Sequence, residues 1–340
     1  MGNFLQELEK TAKAMVAPGK GILAIDESFP TIEKRFKSIN TESTEENRRS
    51  YRDLLITAPD CSEYISGMIL FDETIRQSDS KETPFTKAMN DQGIMPGIKV
   101  DTGVKDLAGH ANEKVTEGLD GLRERLAEYR SLGAKFAKWR AVITIGDGIP
   151  SNACIEANTH ALARYAGLCQ EAGIVPMVEP EVLMDADNTI DTCYEVTEKT
   201  LISLFSNLKN QNVTIEHTIL KVNMVISGKQ CSDQAGISEV ADKTVKCLQA
   251  TVPPELPGIV FLSGGQSAEL ATAHLNAMNA GITDLPWPLS FSYGRALQEP
   301  CLSAWEGKKE NVANAQTALL NREKLNSLAC LGKYSQDMEG

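Results

Sequence analysis

Hydrophobic residues along this chain follow two periods that alternate from one end to the other. Short apolar runs are separated by longer stretches in which apolar positions recur at helical spacing. The short runs predict eight strands, at residues 21–28, 66–72, 93–101, 136–142, 174–182, 217–226, 258–263 and 288–293. The longer stretches predict helices, at residues 3–16, 44–58, 118–132, 151–172, 191–208, 238–248, 267–280 and 312–332.

Alternation of strands and helices favours parallel strands joined by crossover helices. Eight such units in 340 residues predict a closed (β/α)8 TIM barrel, with an N-terminal helix and a C-terminal helical extension. An open, doubly wound sheet is the alternative. The chain shows no linker and no shift of composition, so we expect one domain over residues 1–340. Its polar tail, from about residue 333, is expected to be frayed.

The balance of charge excludes some partners. With 34 Lys and Arg against 46 Asp and Glu, the net charge is −12, which argues against binding of nucleic acid. A small phosphorylated substrate needs only a local cluster of cations and remains compatible with this balance. The chain shows no recognisable leader and no apolar run of membrane-spanning length. We therefore expect a cytoplasmic enzyme without membrane contact, a mature organellar form being the alternative.

Cysteine and histidine spacing gives no sign of a metal centre. The eight cysteines form no CxxC pair, which predicts reduced thiols. The four histidines are widely separated and show neither HxH nor HExxH spacing. We expect neither a metal ion nor another cofactor.

One lysine lies inside the apolar run 217–226. At the period of a strand, Lys221 shares a face with Ile219 and Asn223, while Leu220 and its alternate neighbours take the other face. Burial of a lysine favours its neutral, nucleophilic form. The alternative is a strand lysine whose ammonium group extends to solvent.

Most of the other predicted strands also carry polar residues near their carboxyl ends. These are Asp26, Lys99 with Asp101, Lys138 with Arg140, Glu179 with Glu181, Ser263 at the end of the seventh strand, and Arg295 just after the eighth. In a barrel these ends meet at one face, where the active site lies. Crowded cations lower the pKa of a lysine, and carboxylates can move its protons. This set suits Schiff-base chemistry on a carbonyl compound, although each residue alone is compatible with a surface ion pair.

A glycine-rich turn, Leu262-Ser-Gly-Gly-Gln-Ser267, precedes a predicted helix, and Ser292-Tyr-Gly-Arg295 follows the next strand. Backbone N–H groups in such turns bind anions, and these two loops are the usual phosphate site of barrels. An ordinary tight turn is the alternative. The first turn also spells a signature of ABC-transporter ATPases, but the chain contains no GxxxxGK[ST] loop, so we reject an ATPase.

Seven motifs occur in order along nearly the whole chain. They are Asp26-Glu-Ser28, Gly97-Ile-Lys99-Val-Asp101, Phe136-Ala-Lys138-Trp-Arg140, Val178-Glu-Pro-Glu181, Leu220-Lys-Val-Asn-Met224, Leu262-Ser-Gly-Gly-Gln-Ser267 and Phe291-Ser-Tyr-Gly-Arg295. Together they resemble class I fructose-1,6-bisphosphate aldolase. The resemblance implies metal-independent, reversible cleavage of the sugar bisphosphate into dihydroxyacetone phosphate and glyceraldehyde-3-phosphate.

The resemblance also implies a role for each matching residue. Lys221 matches the Schiff-base lysine, Glu179 the general acid and base, and Asp26 the carboxylate near the C4 hydroxyl. Lys138 matches a second lysine that keeps Lys221 nucleophilic, and Glu181 a carboxylate that orients both lysines. One phosphate is assigned to Ser263, Gly264, Gly265, Ser292, Gly294 and Arg295. The other is assigned to Ser28, Thr31, Arg35, Lys99 and Arg140, with Thr31 standing where the family commonly has serine.

Three points stay open at this stage. The preferred substrate could be another ketose phosphate, such as sedoheptulose-1,7-bisphosphate, because specificity depends on loop contacts. A non-catalytic scaffold on the same fold is the alternative from another functional class. A homotetramer is implied by the resemblance alone.

Overall fold

The computed structural model describes residues 4–281 and 284–339. Its strands are β1 (Gly21–Ala24), β2 (Ile65–Leu70), β3 (Met95–Lys99), β4 (Gly103–Asp106), β5 (Lys114–Glu117), β6 (Phe136–Ile143), β7 (Val175–Val182), β8 (Ile219–Val222), β9 (Ile259–Phe261) and β10 (Leu289–Tyr293). Eight of these strands pair in the order β1, β10, β9, β8, β7, β6, β3, β2 and close into a barrel. Closure is made by β1, which pairs in parallel with both β2 and β10. The predicted TIM barrel is confirmed, and the open sheet is ruled out.

Helices surround the barrel and connect its strands. They are α1 (Leu5–Met15), α2 (Phe29–Lys37), α3 (Glu45–Ile56), α4 (Asp72–Ile75), α5 (Phe85–Asp91), α6 (Leu122–Ser131), α7 (Asn152–Glu171), α8 (Ile190–Asn210), α9 (Ile237–Thr251), α10 (Ala268–Gly281), α11 (Arg295–Trp305) and α12 (Val312–Cys330). Thr44 caps α3, since its hydroxyl accepts the Asn47 N–H at 3.1 Å. Within the described residues, every helix is too short or too polar to cross a lipid bilayer.

The sequence-based boundaries were too wide, and some elements were missed. The strand predicted at 217–226 ends its ladder at Val222, although the next residues stay buried. Helix α2 escaped prediction because it is short and has a proline in its first turn, and α11 because Pro300 lies inside it. The hairpin of β4 and β5, an insertion beside the barrel, also escaped. Asn3, the first residue of the predicted N-terminal helix, lies outside the described residues.

An apolar cluster fills the amino-terminal half of the barrel. Phe136, Val175 and Ile219 each begin a strand and belong to this cluster. Helix α1 closes this end of the barrel, with Leu8 and Met15 packed against the same cluster. Because aliphatic and aromatic side chains occupy this end, the polar residues of the strands are left to the opposite, carboxyl end.

The C-terminal residues that we expected to be frayed are instead attached to the barrel's outer helices. The Tyr334 side chain is buried, its backbone N–H donates to Asn276 at 3.0 Å, and its hydroxyl donates to Glu339 at 2.8 Å. Glu339 in turn forms an ion pair with Arg322 of α12. Fraying is therefore wrong for residues 333–339, while Gly340 lies outside the described residues. All eight cysteines are free thiols.

Helix α12 buries one carboxyl group that no cation accompanies in the described residues. Glu323 is fully buried and accepts a hydrogen bond from the Cys61 thiol at 3.3 Å, while its Oε2 has no partner there. Burial raises the pKa of Glu323 to about 8. The folded protein therefore holds a proton at neutral pH that the unfolded chain releases.

We expect Glu323→Gln to make folding less sensitive to pH. In the native sequence, the contribution of Glu323 is complete below its ordinary pKa of 4.5 and is lost as the pH rises through about 8. Between these values the free energy of unfolding should fall by ~1.4 kcal/mol per pH unit from this group. Urea unfolding at pH 5 and pH 8 measures the effect. Identical pH dependence in the variant and the native protein would refute the assignment.

Candidate active site

A cavity of about 970 Å³ opens at the carboxyl ends of the barrel strands. Fourteen of the predicted site residues line it: Asp26, Ser28, Thr31, Arg35, Lys99, Lys138, Arg140, Glu179, Glu181, Lys221, Ser263, Gly264, Ser292 and Gly294. Gly265 and Arg295 do not line it. These residues come from segments scattered through the chain, and the closure of the barrel brings them together.

Two lysines and two carboxylates form the floor of this cavity. Glu179 of β7 bridges the lysines, with Oε1 3.2 Å from Lys221 Nζ and Oε2 3.3 Å from Lys138 Nζ. Lys138 Nζ also lies 2.6 Å from Asp26 Oδ2. Lys221 and Lys138 are each 4% exposed, and Glu179 is 2% exposed. We call these four residues, whose catalytic roles are proposed below, the catalytic cluster.

Strand register explains how Glu179 reaches Lys221. Val178 of β7 pairs with Leu220 of β8, so the next residue on each strand points to the same side of the sheet. That side is the barrel interior, because Ile219, two residues before Lys221, belongs to the inner apolar cluster. The predicted face of Lys221 is therefore correct, and its side chain does not extend to bulk solvent.

The charges of the catalytic cluster hold both carboxylates ionised. Burial raises the pKa of Asp26, but the charges of Lys138 and Lys221 outweigh it and lower the pKa to about 2. Burial and the same two lysines act on Glu179, whose pKa is also lowered. For Lys138, burial is outweighed by Asp26 and Glu179, and the pKa is raised.

The pKa of Lys138 is thus raised by its carboxylates, although a site rich in cations generally lowers the pKa of a lysine. Lys138 has carboxylates on two sides, at 2.6 and 3.3 Å, so it is a permanent cation at neutral pH. The carboxylate of Glu179 contacts both Lys138 and Lys221, one oxygen to each amine.

The cations on the other side of the cavity are each paired with a carboxylate. Lys99 Nζ lies 2.5 Å from Asp101 Oδ1, and Arg140 pairs with Glu181. Glu181 was expected to orient the lysines; its ion-pair partner in the structure is Arg140, and the orienting role stays a prediction. Arg140 pairs in register with Glu179, and its side chain extends along the β6–β7 pair to the carboxylate two residues farther on.

The sequence reading overlooked Glu27, which determines where Arg35 lies. Glu27 is buried, with Oε1 2.5 Å from Arg35 and Oε2 2.7 Å from Arg52. Gln298 of α11 also donates to Glu27 at 2.7 Å. Glu27 lies between two predicted site residues, Asp26 and Ser28, directly after an apolar strand. A charged residue at that position was the signal that could have indicated it. Arg76 and Arg125 line the cavity and were also overlooked.

The glycine-rich turn lies across the cavity from these cations. Ser263 and Gly264 line the cavity, and Gly264 adopts a left-handed φ of 58° that favours glycine. Ser292 on β10 is 1% exposed, and its hydroxyl has no hydrogen-bond partner in the described residues. A buried hydroxyl and a turn of this conformation can together bind an anionic group.

Gly265 and Arg295 lie at the margin of the turn. Gly265 packs beneath Lys229, where a Cβ would overlap the lysine side chain, and its N–H points at Met184 Sδ, 2.7 Å away. The Arg295 side chain is exposed, and its guanidinium lies 3.5 Å from the Gln266 carbonyl. In the described part of the chain, no group of three His, Cys, Asp or Glu residues is arranged to hold a metal ion.

Comparison with known proteins agrees with this geometry. Residues 7–340 match the family model described as "Fructose-bisphosphate aldolase class-I". A protein of Xanthomonas campestris named probable fructose-bisphosphate aldolase class 1 is 63% identical over 97% of this chain and 99% of its own length. The chain belongs to this family.

More distant class-I aldolases are similar over the same length. The cytoplasmic isozyme of fructose-bisphosphate aldolase from Spinacia oleracea is 52% identical over 98% of this chain and 93% of its own. A solved structure of fructose-bisphosphate aldolase from Plasmodium falciparum, in complex with TRAP and a small-molecule inhibitor, superimposes with a TM-score of 0.97. It is 48% identical and covers 98% of this chain and 97% of its own.

Proposed function

We propose that this class-I aldolase cleaves fructose-1,6-bisphosphate reversibly into dihydroxyacetone phosphate and glyceraldehyde-3-phosphate, through a Schiff base on Lys221 and without a metal ion. The observation that supports it best is the position of Lys221. Its amine is buried at the floor of a cavity large enough for a sugar bisphosphate, 3.2 Å from a single carboxylate oxygen. A nucleophile beside a proton carrier is what imine formation requires.

Imine formation requires protons to leave the lysine nitrogen and to reach the carbonyl oxygen of the substrate. The Lys221 ammonium gives one proton to Glu179, and Nζ then attacks the C2 carbonyl carbon while the carbonyl electron pair moves to the oxygen. A second proton passes from Nζ to this oxygen and makes it a hydroxyl. Glu179 is placed to return its proton to the hydroxyl, which leaves as water. Its second contact, to Lys138, keeps the carboxylate oriented between the two lysines. The product is a protonated imine.

Carbon–carbon cleavage then uses the imine as an electron sink. A base takes the proton of the C4 hydroxyl, the C3–C4 bond breaks, and its electron pair moves through C2 to the imine nitrogen as an enamine. We propose that Asp26 is this base, since its lowered pKa keeps it ionised at neutral pH. Protonation of C3 and addition of water to the resulting imine release dihydroxyacetone phosphate and restore Lys221.

Two sides of the cavity suit the two phosphates. We assign one to the turn at Ser263 and Gly264, together with the partner-free hydroxyl of Ser292. The other phosphate is assigned to the opposite side, which Lys99 and Arg140 line together with three residues at and near the start of α2, namely Ser28, Thr31 and Arg35. The hydroxyl oxygens of Ser28 and Thr31 lie 3.2 Å apart. Local cations allow an acidic protein to bind such a substrate.

Borohydride reduction in the presence of dihydroxyacetone phosphate and a chelator tests the proposal. Hydride converts an imine into a stable secondary amine, and peptide mapping by mass spectrometry then locates it. We expect the adduct on Lys221. An adduct on Lys138 or Lys99 would keep the reaction class and reassign the nucleophile, whereas no adduct and no cleavage of the bisphosphate would refute the proposal.

We also propose a cytoplasmic homotetramer. The location is supported by relatives named as cytoplasmic or cytosolic forms, from Spinacia oleracea and Arabidopsis thaliana. The tetramer is supported by family membership. Sedimentation equilibrium measures it directly, and a mass close to that of a single 37.0 kDa chain would contradict it.

A further inference from the structure

A buried histidine lies behind the glycine-rich turn, outside the catalytic cluster. His274 of α10 is 2% exposed, and its Nδ1 lies 2.6 Å from Oε1 of Gln266, which is also buried. Gln266 belongs to the turn itself. Its side-chain Nε2 donates to the Ser263 carbonyl at 3.2 Å, and its backbone N–H donates to the same carbonyl at 3.1 Å. Gln266 therefore closes the turn with two donors.

The contacts of Gln266 assign the proton on the histidine ring. Its Nε2 faces two acceptors, the Ser263 carbonyl and, at 3.6 Å, Met224 Sδ, so its Oε1 is the atom that faces the ring. An amide oxygen only accepts, so His274 Nδ1 carries the hydrogen. Nε2 of the ring has no partner in the described residues, and burial lowers the pKa of His274 to about 4. A neutral ring thus makes one directed hydrogen bond.

We propose that His274 is a positioning residue that holds the turn 263–266 in its anion-binding conformation through Gln266. Without the ring N–H, the buried Gln266 oxygen would have no donor, and the amide could rotate away from Ser263. The turn carries two cavity-lining residues, and the Gln266 carbonyl lies 3.5 Å from Arg295. The proposal rests on the proposed function, because it gives the turn a phosphate of the substrate to bind.

Two substitutions separate positioning from packing. His274→Leu keeps an apolar side chain of similar size and removes the donor, and we expect KM for fructose-1,6-bisphosphate to rise about tenfold while kcat changes less than about twofold. His274→Asn keeps an amide N–H near the position of Nδ1–H and should return KM to within about twofold of the native value. The matched control is His217→Asn. Like His274, His217 is buried and has one ring nitrogen without a partner in the described residues, in its case Nδ1, but it lies before the amino end of β8, away from the turn.

Gln266→Met removes the oxygen that the ring contacts and keeps the test decisive if His274→Leu folds poorly, and a double-mutant cycle extends it where both variants fold. Gln266→Met alone should raise KM, and combining it with His274→Leu should add little, since the two residues act as one unit. Equal KM changes in the Leu and Asn variants, or independent effects of the two positions, would overturn the proposal. So would Gln266→Met with unchanged KM. If instead the native protein neither cleaves the bisphosphate nor forms the Lys221 adduct, the proposed function fails first.

Discussion

Lys221→Met is expected to lower kcat for cleavage of fructose-1,6-bisphosphate by about 10⁴-fold or more. Methionine fills similar space without an amine, so no imine can form and the electrons of the breaking bond have no acceptor. Lys138 keeps its contacts with Glu179 and Asp26 in this variant, so both carboxylates of the catalytic cluster retain an ion-pair partner. A coupled assay for glyceraldehyde-3-phosphate gives the rate, and borohydride trapping should yield no adduct.

An exposed lysine provides the matched control for this substitution. Lys87 pairs with Asp91 on the surface of α5, far from the catalytic cluster in sequence and 62% exposed at its side chain. Lys87→Met should keep native kcat and native trapping at Lys221. Activity of Lys221→Met within about 100-fold of the native protein, with an adduct on another lysine, would show that a different amine is the nucleophile.

Asp26→Asn is expected to separate imine formation from carbon–carbon cleavage. The amide cannot accept the C4 hydroxyl proton, so kcat for the bisphosphate should fall by about 10³-fold. Dihydroxyacetone phosphate contains no C4, and its imine on Lys221 should still be trapped. Lys138 retains Glu179 at 3.3 Å, which limits the structural effect of losing its closer partner. Single-turnover trapping and steady-state cleavage measure the two steps.

Asp101→Asn is the matched comparison for Asp26→Asn. Asp101 is also a carboxylate that lines the cavity, but it pairs with Lys99 on the side assigned to a phosphate. Its loss should change KM more than kcat. If Asp26→Asn also abolished trapping, or lowered kcat no more than Asp101→Asn does, Asp26 would not be the base of the cleavage step.

The positions of the strands could be predicted because each is an apolar run bounded by turn residues. Their ends could not be predicted closely. Residues 223–226 are as apolar as the ladder that precedes them, and only the absence of a pairing partner for them in the described structure ends β8 at Val222. Helix α11 was not predicted because it contains Pro300, and a proline usually marks a helix boundary.

For the candidate site, sequence reasoning found side chains and missed their partners. Lys138 and Asp26 could be named from their places at strand ends, but their 2.6 Å contact joins segments far apart in the chain. The raised pKa of Lys138 follows from that contact, which no local sequence pattern indicates. The ion pairs of Glu27 with Arg35 and of Glu181 with Arg140 were missed for the same reason.

The sequence by itself determined the order of strands and helices and the family, and it supplied the candidate nucleophile that we propose, with acidic and basic residues near it in the fold. These properties can be predicted because they depend on local patterns of polar and apolar residues and on short motifs. Only the tertiary structure decided that the sheet closes, which carboxylate each cation contacts, and that His274 contacts Gln266 of the turn. Such properties depend on distances between residues remote in sequence, and those distances exist only after the barrel has closed.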